Sequence, residues 1–295
     1  MSRSELLQHF YVCRRYKQAQ PWQKPFLNPR RFLRNQPRSR GLSSTPIGVP
    51  HTTAAFHFPE FTGVSGEGVS REIESYGVFE EALTEAFLHL VRPGQVVVDV
   101  GMHLGYYTTL FACLVTERGQ VHAFEPTPST RELARPNLER FPQIVVHPEA
   151  VWSSVQPLSF RDYGTAWMAF NSFTKAKLDG VPEPRLFSVQ TTTLDVLRQT
   201  LNQPIALVKI DAESAEREII KGAQELIRLD QPLISLEVGD QDGAPTSRAL
   251  VDDLQRLEYA PWEFSQGRFQ RHQPRRAYDY DNLLFAPAAR ELSSV

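Results

Sequence analysis

The chain predicts an α/β fold, with a mostly parallel seven-stranded sheet, helices on both faces and a closing antiparallel hairpin. Three observations carry this. Short apolar runs alternate with helical segments from residue 95 to residue 257, and such alternation builds a parallel sheet covered on both sides. Val96–Val100 is a β-branched run interrupted only by Asp99, with Gly101 and Gly105 directly after it. That order reads as a buried strand, a tight turn and a helix start. Two final strands, near 260–265 and 281–286, have Gly267 and a polar, basic stretch to Arg276 between them and no helix, so they pair antiparallel.

The elements follow in order. Residues 1–40 hold ten Lys or Arg against one acid, Glu5, a net of +9; the chain total is −2, leaving −11 on residues 41–295. Pro21, Pro25, Pro29 and Pro37 break this arm, and Phe10, Tyr11, Trp22, Phe26 and Phe32 interleave with its charges. Its readings are an arm packed on the domain, peripheral contact with a membrane surface or protein partner, and, least favoured, nucleic acid. The expected division is a basic, proline-interrupted extension over 1–50 and one domain over 51–295. Residues 41–70 are rich in Gly, Ser, Thr and Pro and lead into it. Val78–Val91 is an amphipathic helix stopped by Arg92-Pro-Gly94. Strands are expected near 95–100, 120–125, 144–148, 206–210 and 233–237, and helices near 105–116, 128–140, 213–228 and 246–257. Leu158-Ser-Phe-Arg161 and Phe187–Thr192 read as short strands flanking a loop with Tyr163, Trp167, Met168, Phe170, Asn171 and Phe173, a candidate lid or binding wall.

Composition sets further bounds. Hydrophobic content of 41% and charged content of 22% are ordinary for a globular protein. Two distant cysteines, Cys13 and Cys113, offer neither a disulfide framework nor a zinc pattern, which favours a reducing compartment. No apolar run approaches the length of a spanning helix, and the first residues lack a secretory apolar core. The expected location is cytoplasmic.

The chemistry begins at Asp99-x-Gly-x-His-x-Gly105. Helix N–H groups there face the crevice at the strand's carboxyl end, where open α/β sheets bind nucleotides. The spacing is not the Gly-x-Gly-x-x-Gly pyrophosphate fingerprint. Glu125 ends the next strand, twenty residues past Gly105, an offset suited to the two ribose hydroxyls. A nucleoside is therefore expected, with its identity open. Further on, Lys209 and Asp211 share a strand face by alternation, Glu213 and Glu216 follow at the helix start, and Glu237 ends the next strand. Helix N-termini favour carboxylates, so Glu213 and Glu216 also suit plain capping.

Val98-Asp-Val-Gly-x-His-x-Gly-Tyr-Tyr-Thr108, Ala123-Phe-Glu-Pro126 and Val208-Lys-Ile-Asp-Ala-Glu-Ser-Ala-Glu216 resemble the successive motifs of the FkbM family. The resemblance spans roughly residues 70–290 and departs at Ser214, where the family usually has glycine. It implies a Rossmann-like methyltransferase fold, S-adenosyl-L-methionine as cofactor, and O-methylation of a natural product or saccharide as a small-molecule acceptor. It also implies that Asp99, Gly101, His103, Gly105 and Tyr106 lie at the methionine end, Glu125 and Pro126 at the ribose, and Glu149 and Ala150 at the adenine. Asp211, Lys209, His103 and Glu213 are the candidates for catalysis. No metal ligand set is assigned; the carboxylates permit Mg2+ and do not require it. The alternatives are a nicotinamide-dependent oxidoreductase, which the closing hairpin disfavours, and a nucleoside-binding protein without turnover.

Overall fold

A computed structural model describes residues 1–34, 46–174, 180, 182–240, 246–279 and 281–293. Pro37, Arg38 and Arg40 of the basic arm lie outside the described residues. The N-terminal part holds α1 (Arg3–Gln18), α2 (Lys24–Leu27), α3 (Pro29–Arg34), β1 (Pro50–Thr53), β2 (Phe61–Val64), α4 (Gly68–Tyr76) and α5 (Glu81–Leu90). The alternating core follows with β3 (Val96–Val100), α6 (Tyr106–Val115), β4 (Gln120–Phe124), α7 (Pro128–Leu138) and β5 (Ile144–His147). Next come β6 (Ala150–Val151), β7 (Pro157–Asp162), β8 (Arg185–Thr192), α8 (Leu194–Gln199) and β9 (Ile205–Ile210). The chain ends with α9 (Glu216–Lys221), α10 (Gln224–Asp230), β10 (Leu233–Val238), α11 (Thr246–Arg256), β11 (Tyr259–Ser265), β12 (Arg268–Arg271) and β13 (Asp281–Pro287).

The main sheet runs β12-β11-β13-β10-β9-β3-β4-β5. Strands β5, β4, β3, β9 and β10 are parallel, and β13 enters antiparallel between β10 and β11. The sheet thus has eight strands rather than seven. The eighth arises because Gln266 (φ 51°) and Gly267 (φ 75°) fold β12 back onto β11. Two central residues with positive φ match the twist of a two-residue hairpin.

Period-two alternation divides the strands between two cores. Val97, Leu207 and Leu233 face one cluster with α1, α5 and α6, while Val96, Val98, Val208 and Ile234 face the other with α8 to α11. The single helix expected over 213–228 is two, α9 and α10, and starts later. A Cβ on Gly222 would stand 2.2 Å from the Trp152 carbonyl oxygen, so the chain passes β6 at that point without a side chain. A smaller sheet, β6-β8-β7, carries the expected strands around residues 157–192.

Helix α1 packs into the first core through Leu6, Phe10 and Cys13. Several of its charges serve that packing. Arg3 donates to the Leu88 and His89 carbonyls, both at 2.8 Å, at the carboxyl end of α5. Arg14 pairs with Glu81 and Glu85, and Lys17 with Glu72. A guanidinium on the last carbonyls of a helix satisfies groups the helix leaves unpaired. No described helix is long and apolar enough to cross a membrane.

Candidate active site

The site is built where β3, β4, β9 and β10 end. Register pairs Asp99 with Lys209, and Lys209 with Ser235, so these side chains stand in one row across the sheet, on the face that α6 covers. Two residues on, Asp211 and Glu237 repeat that row at the strand exits. The β3 turn closes tightly: the Gly101 and Met102 N–H groups both donate to the Phe124 carbonyl, at 3.1 and 3.0 Å. A Cβ on Gly101 (φ 80°) would lie 1.8 Å from the Asp211 carbonyl oxygen. The glycine is therefore required by the neighbouring strand, not only by a ligand.

A cavity of about 1070 Å³, its open mouth included, lies over these ends. On the β3–β4 side it is lined by Gly101, Met102, His103, Tyr106, Glu125 and Pro126, with Ala150 and Val151 beyond. Glu125 is 7% exposed. It accepts from the Thr127 N–H at 2.9 Å and the His103 N–H at 3.3 Å. Burial lifts its carboxyl from the ordinary 4.5 to about 7, against the pull of those hydrogen bonds. His103 sits at φ 53°. Burial holds its imidazole below the usual range, although Glu67, 4.0 Å away, opposes that shift.

The β9–β10 side is a charge cluster. The Lys209 Nζ lies 3.2 Å from Asp211, 3.5 Å from Asp99 and 5.1 Å from the centre of the Tyr107 ring. Burial would lower the ammonium, but Asp211, Asp99 and Glu80 together raise it above an ordinary lysine. Asp99 is fully buried and accepts from Thr108 Oγ1 at 2.6 Å. Asp211 is 31% exposed and turned to the cavity. Burial pushes it up, yet the Lys209 charge and a hydrogen bond from Glu237 hold it below the usual carboxylate range. Burial first, then the Asp211 charge, raises Glu237 far above that range. Glu213 is lifted to about 8 by burial and by Asp211 and Glu216.

Family comparison adds an independent line. The family model for the methyltransferase FkbM domain matches residues 99–260. The chain belongs to the FkbM methyltransferase family. It is 30% identical over 187 residues to a 31-O-demethyl-FK506 methyltransferase of Streptomyces tacrolimicus, covering 52% of this chain and 69% of that one. It is 26% identical over 180 residues to a hexuronic acid methyltransferase of Haloferax volcanii, covering 58% and 70%. A shorter match, 39% identical over 88 residues, covers 28% of this chain and only 33% of a protein-L-isoaspartate O-methyltransferase of Aeropyrum pernix.

S-adenosylmethionine is the cofactor of this methyltransferase family, and the residues present fit it. Glu125 offers a buried carboxylate to hydroxyls, and the apolar walls Phe124, Val151 and Phe173 suit a flat base. The one Lys or Arg among the described lining residues, Lys209, is bound to Asp99 and Asp211. The match to the methyltransferase family, rather than the charge of this wall, sets the nicotinamide alternative aside.

The structure brings together most of the residues expected from sequence. Gly101, His103, Tyr106, Glu125, Pro126 and Ala150 line the cavity, as do Lys209, Asp211 and Glu213. Asp99, Gly105 and Glu149 do not. Alternation turns Asp99 under α6, where it anchors Lys209 rather than facing a ligand. Gly105 (φ 85°) caps α6 behind the turn, and Glu149 is half-buried beside Ala150 without lining the cavity. Glu216 is buried and accepts from the Ala212 N–H at 3.1 Å, organising the turn. Ser214 does not cap α9; it sits at φ 79°, next to Glu213 at φ 49°. Left-handed backbone is what glycine adopts freely, which accounts for the residue usual at this place in the family.

Sequence reasoning missed the N-terminal wall. Val69 and Phe79 line the cavity, and Glu67, 1% exposed, caps α4 by accepting from the Val69 and Ser70 N–H groups at 2.8 and 2.6 Å. An acid just before the Val69–Tyr76 run is the signal that marks this helix start. The aromatic loop expected to form a wall contributes Met168, Asn171 and Phe173. Asp211, Glu213 and Glu237 place one oxygen each within 4.8 Å of one another, an arrangement that suits a hard divalent ion. The Lys209 ammonium already offsets part of that charge.

Proposed function

We propose that the chain methylates an oxygen, hydroxyl or carboxyl, of a small molecule such as a natural product or saccharide. The observation that carries this is Asp211, a carboxylate kept ionised by Lys209 and open to the cavity. The 31-O-demethyl-FK506 and hexuronic acid methyltransferases support the substrate class by their names.

When bound, the cofactor supplies an electrophilic methyl group on a sulfonium. Glu125 would hold the ribose, and the turn at Gly101–His103 the methionine end. Asp211 accepts a hydrogen bond from an acceptor hydroxyl and so aims its lone pair. As the methyl passed from sulfur to the acceptor oxygen, leaving a neutral thioether, the hydroxyl would become strongly acidic, so a carboxylate of low basicity would suffice to take its proton. Lys209 keeps Asp211 charged and in place; Glu237 steadies it from the other side. The apolar walls exclude water, and orientation of this kind is worth about 7–11 kcal/mol.

Asp211→Asn tests the assignment. Turnover at saturating cofactor should fall by about 10²–10⁴-fold, the usual span for a lost acid–base group. S-adenosylhomocysteine affinity, measured by calorimetry, should stay within a few-fold. Turnover near wild type would remove Asp211 from the chemistry.

A further inference from the structure

We propose that the N-terminal segment docks the protein on an anionic lipid surface through Trp22, Phe26 and Leu33, flanked by Arg15, Lys24 and Arg30. These three apolar side chains are 69%, 83% and 70% exposed within one twelve-residue span. Trp22 and Phe26 share a shallow groove with Arg15 and Ala19. On α1, Val12 and Arg15 lie on the side away from the buried Leu6, Phe10 and Cys13, with Ala19 directly after the helix, and Val12 is itself 53% exposed. The core-facing side of α1 is therefore satisfied, and its outer side continues into the Trp22–Phe26 patch.

The cations divide the same way. Arg14 and Lys17 are spent on Glu81, Glu85 and Glu72. Arg15 and Arg30 are exposed and have no carboxylate partner among the described residues, and Lys24 rests over the Tyr16 and Tyr76 rings. Aromatic and aliphatic tips ringed by Lys and Arg are the composition of a surface-lying membrane anchor. Charge selects the occupant: residues 1–40 carry +9 against −11 for the rest. An anionic bilayer attracts this end and repels the other. A second copy would set like-charged arms face to face, so self-association is disfavoured. Lys17 on Glu72 and Lys24 over Tyr76 tie the patch to α4, whose Val69 lines the cavity. Docking would hold the cavity at a fixed attitude to the lipid and suit an acceptor carried at that boundary. The docking does not depend on the acceptor assignment.

The test is sedimentation of the full chain with vesicles of phosphatidylcholine alone or mixed with phosphatidylglycerol. Binding should need the anionic lipid and weaken at high salt. W22S/F26S and, separately, R15E/R30E should each weaken it by about tenfold or more. All these side chains are at the surface, so melting temperature and cofactor affinity should hold, separating lost docking from lost folding. No binding by the wild type, or binding indifferent to both variants, overturns the proposal. So does self-association or oligonucleotide binding that W22S/F26S abolishes while vesicles are ignored.

Discussion

The two halves of the cavity are made by opposite means. On the β3–β4 side, backbone does most of the work: a turn pinned to the Phe124 carbonyl and one carboxylate, Glu125, held by main-chain N–H groups. On the β9–β10 side the side chains carry the site, with Lys209 surrounded by Asp99, Asp211 and Glu80. The first half tolerates little change of shape; the second, little change of charge. A binding surface for a fixed cofactor gains from rigid backbone, and a surface where a proton must move gains from coupled titrating groups.

Lys209→Met is the hardest blow to the charged half. It leaves Asp99 buried without a counter-ion and Asp211 without its partner, and losing one partner of a buried pair costs about 3–5 kcal/mol. Thermal unfolding should shift down strongly at pH 7. The loss should shrink at low pH, where Asp99 protonates. A variant as stable as wild type at pH 7 would mean that the row is not held by charge.

Glu125→Gln probes the backbone half. Glu125 titrates near 7 rather than the ordinary 4.5 because of burial, so the empty protein carries it largely protonated below pH 7. Accepting from both ribose hydroxyls needs the ionised form; affinity should therefore rise by about tenfold from pH 6 to pH 8, approaching its plateau above 7. Calorimetry with S-adenosylhomocysteine should show this rise in the wild type and lose most of it in the Gln variant. The linked stability runs the other way: this group's contribution is fully present below 4.5 and lost as pH rises through 7. A pH-independent affinity in the wild type would detach Glu125 from the cofactor.

The smallest effect expected is at Ser214→Gly. A serine at φ 79° pays for a left-handed backbone that glycine adopts freely, so the change should stabilise by about 1 kcal/mol. Denaturant unfolding measures it. Destabilisation would show that the turn depends on the serine side chain.

The same contrast explains what sequence could reveal. The parallel strands are legible because each is an apolar run between turns, and Gly101 and Glu125 because turn chemistry is local. Lys209 and Asp211 emerge from alternation within one strand. The burial of Asp99 does not, since it depends on α6 packing Thr108 over it. Likewise, the break at Gly222 is set by Trp152, seventy residues earlier, and Val69 and Phe79 reach the cavity through packing of α4 and α5 that no local pattern encodes. The β12 hairpin turns on Gln266-Gly267, a weaker signal than Asn-Gly.

Glu80 accepts from Tyr107 at 2.8 Å and, 202 residues along the chain, from Asn282 at 2.6 Å. This places the first and last parts of the domain on one carboxylate beside Lys209. In chain order β13 follows every other strand, so the β3–α6 turn can assemble before β13 closes the β9–β10 side. Such distant pairings are slow to form. The charged half of the cavity is thus completed only by a strand that follows every other strand of the main sheet.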